Sequence, residues 1–407
     1  MIKLPFNNHL LFCVLTLLTK VSFSQEDELQ QIRPFGTNPG NLKLMLYEPP
    51  NITEKAPLVV VLHGCTQMAK GSAEQTGWNK LAKQQQFYVL YPEQLILNNL
   101  ENCFNWYREG DQLRDKGEPG SIKQMIDYLK KNKRIDSTRI YIIGLSAGGA
   151  MSTIMMAVYP EVFDKGGVIG GGPYKAAESA IKGGASMLGM VAKSPENWGD
   201  LVRKQNPNYK GEYPELIVFH GNLDYIVNIN NANQLIKQWT NIHQADYKED
   251  EHYEAFMQNK DVELTIYKNA KQQDVVTYYK VKNMAHAVAL DTGSCPNQGG
   301  KTGMFAVDKN FHSTFWAAYF FGIVKPTHQL TGETKTTAEA VNVPYSIPNT
   351  DGSTYSWKTP SGVWIQGEKH SNNINVNFDY AGGYIEVYET TKNGCIETPC
   401  KIWVDVK

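Results

Sequence analysis

Between residues 42 and 281 the chain alternates short apolar, β-branched runs with longer stretches in which apolar side chains recur every three or four positions. The runs at 58–62 (L-V-V-V-L), 87–90, 140–143, 168–169 and 216–219 predict strands. In 121–131 the side chains of Ile122, Met125, Ile126 and Leu129 fall on one helical face, and 149–159 and 231–242 are the next helices. This alternation predicts an α/β fold with a mainly parallel sheet. Strands apolar along their whole length are covered on both faces, so reactive groups are expected at their C-terminal ends.

The rhythm breaks at 174–213, where Gly183-Gly184, Ser194-Pro195 and Asn206-Pro207 interrupt any period. That segment is expected to be an insertion over the strand ends. An aromatic-rich helix at 310–321 closes the large unit, and the Thr-, Lys- and Glu-rich stretch 325–340 reads as a linker. From 341 onward the pattern becomes short alternating runs at 354–357, 362–365, 374–378, 384–388 and 401–406, separated by turns such as Ala381-Gly382-Gly383. A small all-β sandwich is expected there. The resulting organisation is a leader at 1–24, a large α/β domain at 25–324, a linker at 325–340 and a β module at 341–407.

Composition narrows the picture. A hydrophobic fraction of 42% over 407 residues suits a globular protein with one large core and a small one. The net charge is −1 and no long basic block exists, which argues against a nucleic-acid partner. Lys3 precedes an apolar run at 10–18 and then Ser22-Phe23-Ser24, the layout of a secretory signal peptide cut before Gln25. No later run is apolar for the ~20 residues that a membrane span needs, so a secreted protein, extracellular or periplasmic and without a membrane partner, is expected. Export permits disulfides among the five cysteines that follow the leader. Spacing does not fix their pairing; the expectation is Cys65 with Cys103 and Cys395 with Cys400, leaving Cys295 unpaired. No Cys or His cluster has metal-ligand spacing, so neither a metal nor another cofactor is expected.

The candidate chemistry begins at 139–150, R-I-Y-I-I-G-L-S-A-G-G-A. Here G-x-S-x-G sits between a predicted strand and a predicted helix, the setting of a nucleophile elbow. A serine hydroxyl needs a base to become a nucleophile, and a carboxylate to hold that base. In this fold the chain order is Ser, acid, His. His286, directly after a strand ending near Val281, is the candidate base, ahead of His220, His312 and His328. Asp224, on the loop after the strand at 216–219, is the candidate acid, whereas Asp164 and Asp200 lack that context. An oxyanion hole needs preorganised N–H donors. The amide of Ala147, following Ser146, and that of Cys65, in His63-Gly64-Cys65-Thr66-Gln67, are the expected pair. His63 itself is expected to pack at the strand end.

The segments at 63–67 (H-G-C-T-Q), 102–107 (N-C-F-N-W-Y), 117–122 (G-E-P-G-S-I) and 144–151 (G-L-S-A-G-G-A-M), occurring in this order, resemble the polyhydroxybutyrate depolymerase-like esterases, a family overlapping the secreted feruloyl and acetylxylan esterases of carbohydrate esterase family one. The likeness spans roughly 42–321. It implies an α/β-hydrolase fold, a Ser146–Asp224–His286 triad, oxyanion donors at Cys65 and Ala147, and a Cys65–Cys103 bridge. Relatives often carry His-Ala-Trp after the base; here His286-Ala287-Val288 replaces the tryptophan, an aromatic that would line the cleft. Trp106 and Tyr107 are expected either to line the cleft in its place or to pack in the core. The tail, with Tyr355-Ser356-Trp357 and Gly362-Val363-Trp364, resembles PKD-like modules; both tryptophans are expected in its core with the module acting as a spacer, the alternative being that its aromatics bind a polymer surface.

These expectations describe a secreted serine esterase acting on a small or polymeric ester, with a tilt toward feruloyl or acetyl esters of insoluble plant polysaccharide. Hydroxyalkanoate polyester is the alternative. A peptidase would use the same triad, and a non-catalytic polymer-binding protein would keep the fold without the reaction.

Overall fold

The computed structural model describes residues 28–407; the expected leader at 1–24 lies outside them. Ten strands form one sheet: β1 (Gln30–Ile32), β2 (Lys43–Tyr47), β3 (Ala56–Leu62), β4 (Tyr88–Glu93), β5 (Ile135–Leu145), β6 (Lys165–Ile169), β7 (Glu215–Gly221), β8 (Glu251–Tyr253), β9 (Val262–Lys268) and β10 (Asp274–Val281). Their spatial order is β1-β2-β4-β3-β5-β6-β7-β10-β9-β8. The six central strands from β4 to β10 are mutually parallel, while β1, β2, β9 and β8 add antiparallel edges.

Both faces are covered, as the uninterrupted apolar strands demand. Leu58, Val60 and Leu62 of β3 face one core with Met125 and Leu129 of α3 (Gly117–Asn132), Met151 and Ile154 of α4 (Ala147–Val158), and Leu235 and Trp239 of α7 (Asn230–Ile242). Val59 and Val61 face the other, with Trp78 and Leu81 of α2 (Trp78–Gln85), Ala73 of α1 (Ala69–Thr76), and Phe315 and Trp316 of α8 (Ser313–Phe320). The period-two alternation of one strand thus feeds two cores. Every residue of α4 is buried, which explains why that helix is apolar on all sides rather than on one face. Among the described residues, no helix is long and apolar enough to cross a membrane.

Two short helices, α5 (Ala180–Met187) and α6 (Pro195–Gln205), occupy the segment expected as an insertion. Ser179 and Ser194 cap them by accepting from Lys182 N–H and Asn197 N–H, a start signal that the weak apolar period hides. After β10 the chain forms a two-stranded parallel ladder, β11 (Val288–Leu290) with β12 (Ala306–Asp308).

The C-terminal region is a sandwich of two four-stranded sheets. One contains β13 (Thr331–Gly332), β15 (Val343–Ser346), β17 (Val363–Gln366) and β18 (Asn373–Phe378); the other contains β14 (Lys335–Thr336), β16 (Thr354–Lys358), β19 (Gly383–Thr390) and β20 (Cys400–Val406). Val376, Phe378, Ile385 and Val404 meet between them. Strands β13 and β14 lie within the stretch read as a linker and pair with β15 and β20; pairing overrides the low apolar content there.

Two expectations fail in this region. Cys395 bonds to Cys295 rather than to Cys400, which is a buried free thiol. Cys400 faces the sandwich core and donates to His328 O at 3.0 Å, whereas Cys395 sits in the turn closed by Thr391 N–H to Cys395 O; the bridge ties the β module to the loop after β11. Trp364 is not core but 50% exposed. Its neighbour Val363 points inward, so the alternation of β17 turns Trp364 out. Trp357 is partly buried and donates to Ser371 O.

Candidate active site

Ser146 stands between β5 and α4 at φ 58°, ψ −120°, outside the regions that L-residues prefer. The elbow is possible because its neighbours have no side chain. A Cβ on Gly144 would sit 2.3 Å from Gly148 O, and one on Gly148 would sit 2.3 Å from Leu62 O. Ser146 N–H donates to Ile169 O at 2.8 Å, locking the turn to the end of β6.

The next residue, Gly170, packs against His286 and Asp224. His286 Nδ1 lies 2.6 Å from Asp224 Oδ2, and a Cβ on Gly170 would stand 3.1 Å from His286 Cε1 and 3.3 Å from Asp224 Oδ2. Asp224 follows β7, and its Oδ1 accepts the amides of Ile226 at 3.0 Å and Val227 at 2.8 Å. Two backbone donors fix one carboxylate oxygen and leave the other for the imidazole. His286 Nε2 is buried and has no hydrogen-bond partner among the described residues, so Ser146 Oγ does not bond to it in this arrangement. Catalytic hydrogen bonds of this type often tighten only once substrate is bound. Leu223 N–H donates to Met284 O and Asn222 N–H to Val281 O, which ties the loop of the acid to that of the base.

His220, a weaker candidate for the base, is also buried here. Its Nε2 lies 2.8 Å from Val227 O and 3.4 Å from Asp224 Oδ2, and burial lowers its pKa, so it packs as a neutral ring behind the carboxylate. His312 is directed at Thr76 O and Asn297 O, and His328 belongs to the β module, where it faces Glu389.

The turn after β3 faces the elbow. Gly64 N–H donates to Gln67 Oε1 at 2.8 Å, and Thr66 N–H to Glu101 O at 2.7 Å. Among the described residues no internal acceptor takes the amides of Cys65 or Ala147. Two free N–H groups beside one hydroxyl can receive a developing oxyanion. The Cys65–Cys103 disulfide holds the turn against the loop that carries Trp106 and Tyr107. His63 is buried, accepts from Gln94 N–H through Nε2 and packs on Phe104, and burial lowers its pKa.

The Ser146 elbow and the Cys65 turn open into a cleft of about 320 Å³ whose walls include Cys65, Trp106, Tyr107, Ser146, Pro173 and Met187. Trp106 and Tyr107 meet edge to face at 5.7 Å, so they form a cleft wall, although Trp106 also packs against the core. Val288, at the position where relatives carry tryptophan, opens β11 and is buried; it does not line this cleft.

One buried group went unread in the sequence. Glu118 Oε2 accepts Asn105 N–H at 2.8 Å, and Oε1 accepts Gln94 Nε2 and Asn105 Nδ2. Burial raises its pKa to about 8, with Asp111 adding to the rise and the Asn105 and Gln94 hydrogen bonds opposing it. Glu118 thereby braces the strand of chain leading into Trp106. The Glu-Pro motif at the start of α3 was visible, but its partners 13 and 24 residues away were not. Gly170 is a second such residue, and Gly170-Gly171-Gly172 after an apolar run was its only mark.

Comparison with known proteins gives these features a family. Residues 42–246 match the family model described as Esterase PHB depolymerase, and 324–402 match a PKD-like domain. A poly(3-hydroxyalkanoate) depolymerase C from Paucimonas lemoignei is 41% identical over 76% of this chain and 73% of its own length. A feruloyl esterase B from Neurospora crassa is 31% identical over 53% of this chain and 74% of its own. An acetyl xylan esterase from Aspergillus awamori superposes with a TM-score of 0.62 at 23% identity, covering 73% of this chain and 100% of that one, which establishes the α/β-hydrolase fold. The chain belongs to the esterase PHB depolymerase family and is a carboxylic ester hydrolase.

Proposed function

We propose that the protein is an exported serine esterase that cleaves polymer-linked esters, with Ser146 as nucleophile, His286 as base, Asp224 as its orienting acid, and the amides of Cys65 and Ala147 as oxyanion donors. The observation that carries this reading is the Asp224–His286 contact of 2.6 Å, packed on Gly170, the residue after the Ile169 carbonyl that accepts Ser146 N–H. Ser146 Oγ attacks the ester carbonyl carbon while His286 Nε2 takes the hydroxyl proton. The carbonyl oxygen gains charge and is held by the two amides. The C–O bond of the ester breaks, and the alcohol leaves with the proton from His286. Water, deprotonated by His286, then attacks the acyl-serine; the acid departs and Ser146 recovers its proton. Asp224 keeps Nδ1 protonated and stabilises the imidazolium.

Hydroxyalkanoate polyester is the substrate best supported by likeness, since the depolymerase relative matches at 41% over three quarters of the chain. Feruloyl or acetyl esters of polysaccharide form the second reading, favoured by relatives such as the Neurospora crassa feruloyl esterase. A panel of polyhydroxybutyrate film, methyl ferulate, acetylated xylan and p-nitrophenyl esters tests the choice. Ser146→Ala is expected to abolish turnover and labelling by a fluorophosphonate probe while leaving the melting temperature within a few degrees. Retained labelling would refute the nucleophile.

A further inference from the structure

The cleft beside Ser146 is one-sided. Its walls hold the nucleophile and the two residues with free amides, Cys65 and Ala147, but neither His286 nor Asp224 contributes to them. Phe305, which packs edge-on to His286 at 6.2 Å, is likewise not part of the walls. In ester cleavage by a serine and a histidine the departing alcohol oxygen takes its proton from the imidazole, so the alcohol portion lies on the His286 side of the scissile bond. The carbonyl oxygen is directed at the amides. What extends from the carbonyl carbon into the cleft is therefore the acyl portion of the ester.

One helix sets the size of that space. Ala180, Gly183, Gly184 and Met187 of α5 follow the i, i+3, i+4, i+7 spacing of a single helical face, and all four line the cleft. A Cβ on Gly183 would stand 3.3 Å from Tyr107 Cβ on the facing wall, and one on Gly184 would meet nothing within 4 Å. Adjacent glycines weaken a helix interior, yet here they leave the volume between α5 and Trp106–Tyr107 unfilled. A cleft of about 320 Å³ has room for roughly ten waters at ~30 Å³ each, whereas an acetyl group would place only its methyl there. A longer apolar acyl group would displace that water and cover Trp106 and Met187, with the gain that burying apolar surface brings.

We infer that the space between α5 and Trp106–Tyr107 is the acyl subsite, and that the small side chains of α5 fit it to acyl groups well longer than acetyl, the chemistry shared by an aliphatic hydroxyalkanoate chain and an arylpropenoyl group. This rests on the proposed reading of Ser146 as the nucleophile of an esterase. Esters with a common leaving group, p-nitrophenyl acetate, octanoate and ferulate, isolate the acyl side in the full-length protein. The kcat/KM for octanoate or for ferulate should exceed that for acetate at least about tenfold, since even one methylene in a fitting apolar pocket is worth roughly that much; the larger of the two distinguishes the aliphatic source from the aryl one. Gly184→Leu, and separately Ala180→Leu, should lower the ratio of the favoured ester to acetate at least about tenfold. Leucine favours a helix over glycine, so the melting temperature of the Gly184 variant should not fall. Gly71→Leu on α1 is the control: its Cβ also meets nothing within 4 Å, it does not line the cleft, and the ratio should stay as it was. Acetate preferred over both longer esters, an unchanged ratio in both α5 variants, or a loss confined to octyl acetate relative to ethyl acetate, which would put the alcohol portion in the cleft, would each overturn the proposal. Failure of the unmodified protein to hydrolyse any of these esters would instead overturn the esterase reading beneath it.

Discussion

Substituting Gly170 by alanine places one methyl group between the elbow and the Asp224–His286 pair. At φ +53° the new residue adopts the left-handed conformation, at a cost of about 1–2 kcal/mol. Its Cβ also arrives 3.1 Å from His286 Cε1, 3.2 Å from Nδ1 and 3.3 Å from Asp224 Oδ2, inside the optimum carbon separation of about 3.5–4.0 Å. The imidazole must therefore retreat by roughly half an ångström. Since a misplacement of about 1 Å can cost a hundredfold in rate, kcat should fall about tenfold, equal to about 1.4 kcal/mol of barrier. Steady-state kinetics on p-nitrophenyl butyrate, with thermal melting in parallel, separate the two effects. Gly322→Ala is the control, because Gly322 has φ +71° and nothing within 4 Å of its would-be Cβ. It should lose similar stability and keep kcat. If Gly170→Ala lowers the melting temperature while kcat stays equal to that of the control, the pair takes no part in the reaction.

Three further outcomes follow from the same geometry. Asp224→Asn keeps the shape of the carboxylate but loses its charge and its hold on the Nδ1–H tautomer, so kcat should drop by about 10⁴; a drop below tenfold in single-turnover kinetics would remove Asp224 from the mechanism. Replacing Cys65 and Cys103 by serine opens a loop with a sequence separation of 38, which should cost about 4 kcal/mol in denaturant titration and, by loosening the Cys65 turn, lower kcat more than it alters KM. Glu118 is a carboxyl raised from 4.5 to about 8, so between those values the native state binds more protons than the unfolded one and its contribution to stability falls as pH rises. Glu118→Gln should flatten that part of the stability–pH curve, and an unchanged slope from pH 5 to 8 would place the dependence elsewhere.

What the sequence made legible was local. The apolar runs at 58–62, 140–143 and 216–219 are strands because both faces are buried, and a run of that kind needs no knowledge of its neighbours. The Ser146 turn was legible for a similar reason, as Gly144 and Gly148 must make room for carbonyls a few residues away or on the adjacent strand. Strand β9 was harder to name, since Glu263 dilutes its apolar pattern by pairing with Lys280 on the neighbouring β10. The Cys65–Cys103 bridge is present as expected, whereas the Cys395–Cys400 pairing failed because a bridge with a separation of 100 residues depends on how the module rests against the α/β domain. The expected short bridge would have drawn Cys400 out of a core position opposite Val387.

That long bridge also bears on how the module acts. Cys295 lies in the loop between β11 and β12, and Val288 N–H of β11 donates to Phe305 O beside His286. On the other side, Lys358 Nζ stands 3.4 Å from the centre of the Tyr253 ring, so β16 also touches the sheet edge at β8. A module held by a covalent link and a cation–π contact, the latter worth about 0.5–2 kcal/mol, cannot sweep a polymer surface on a loose tether. It braces the loop after β11, and with it Phe305 beside His286, against the rest of the chain.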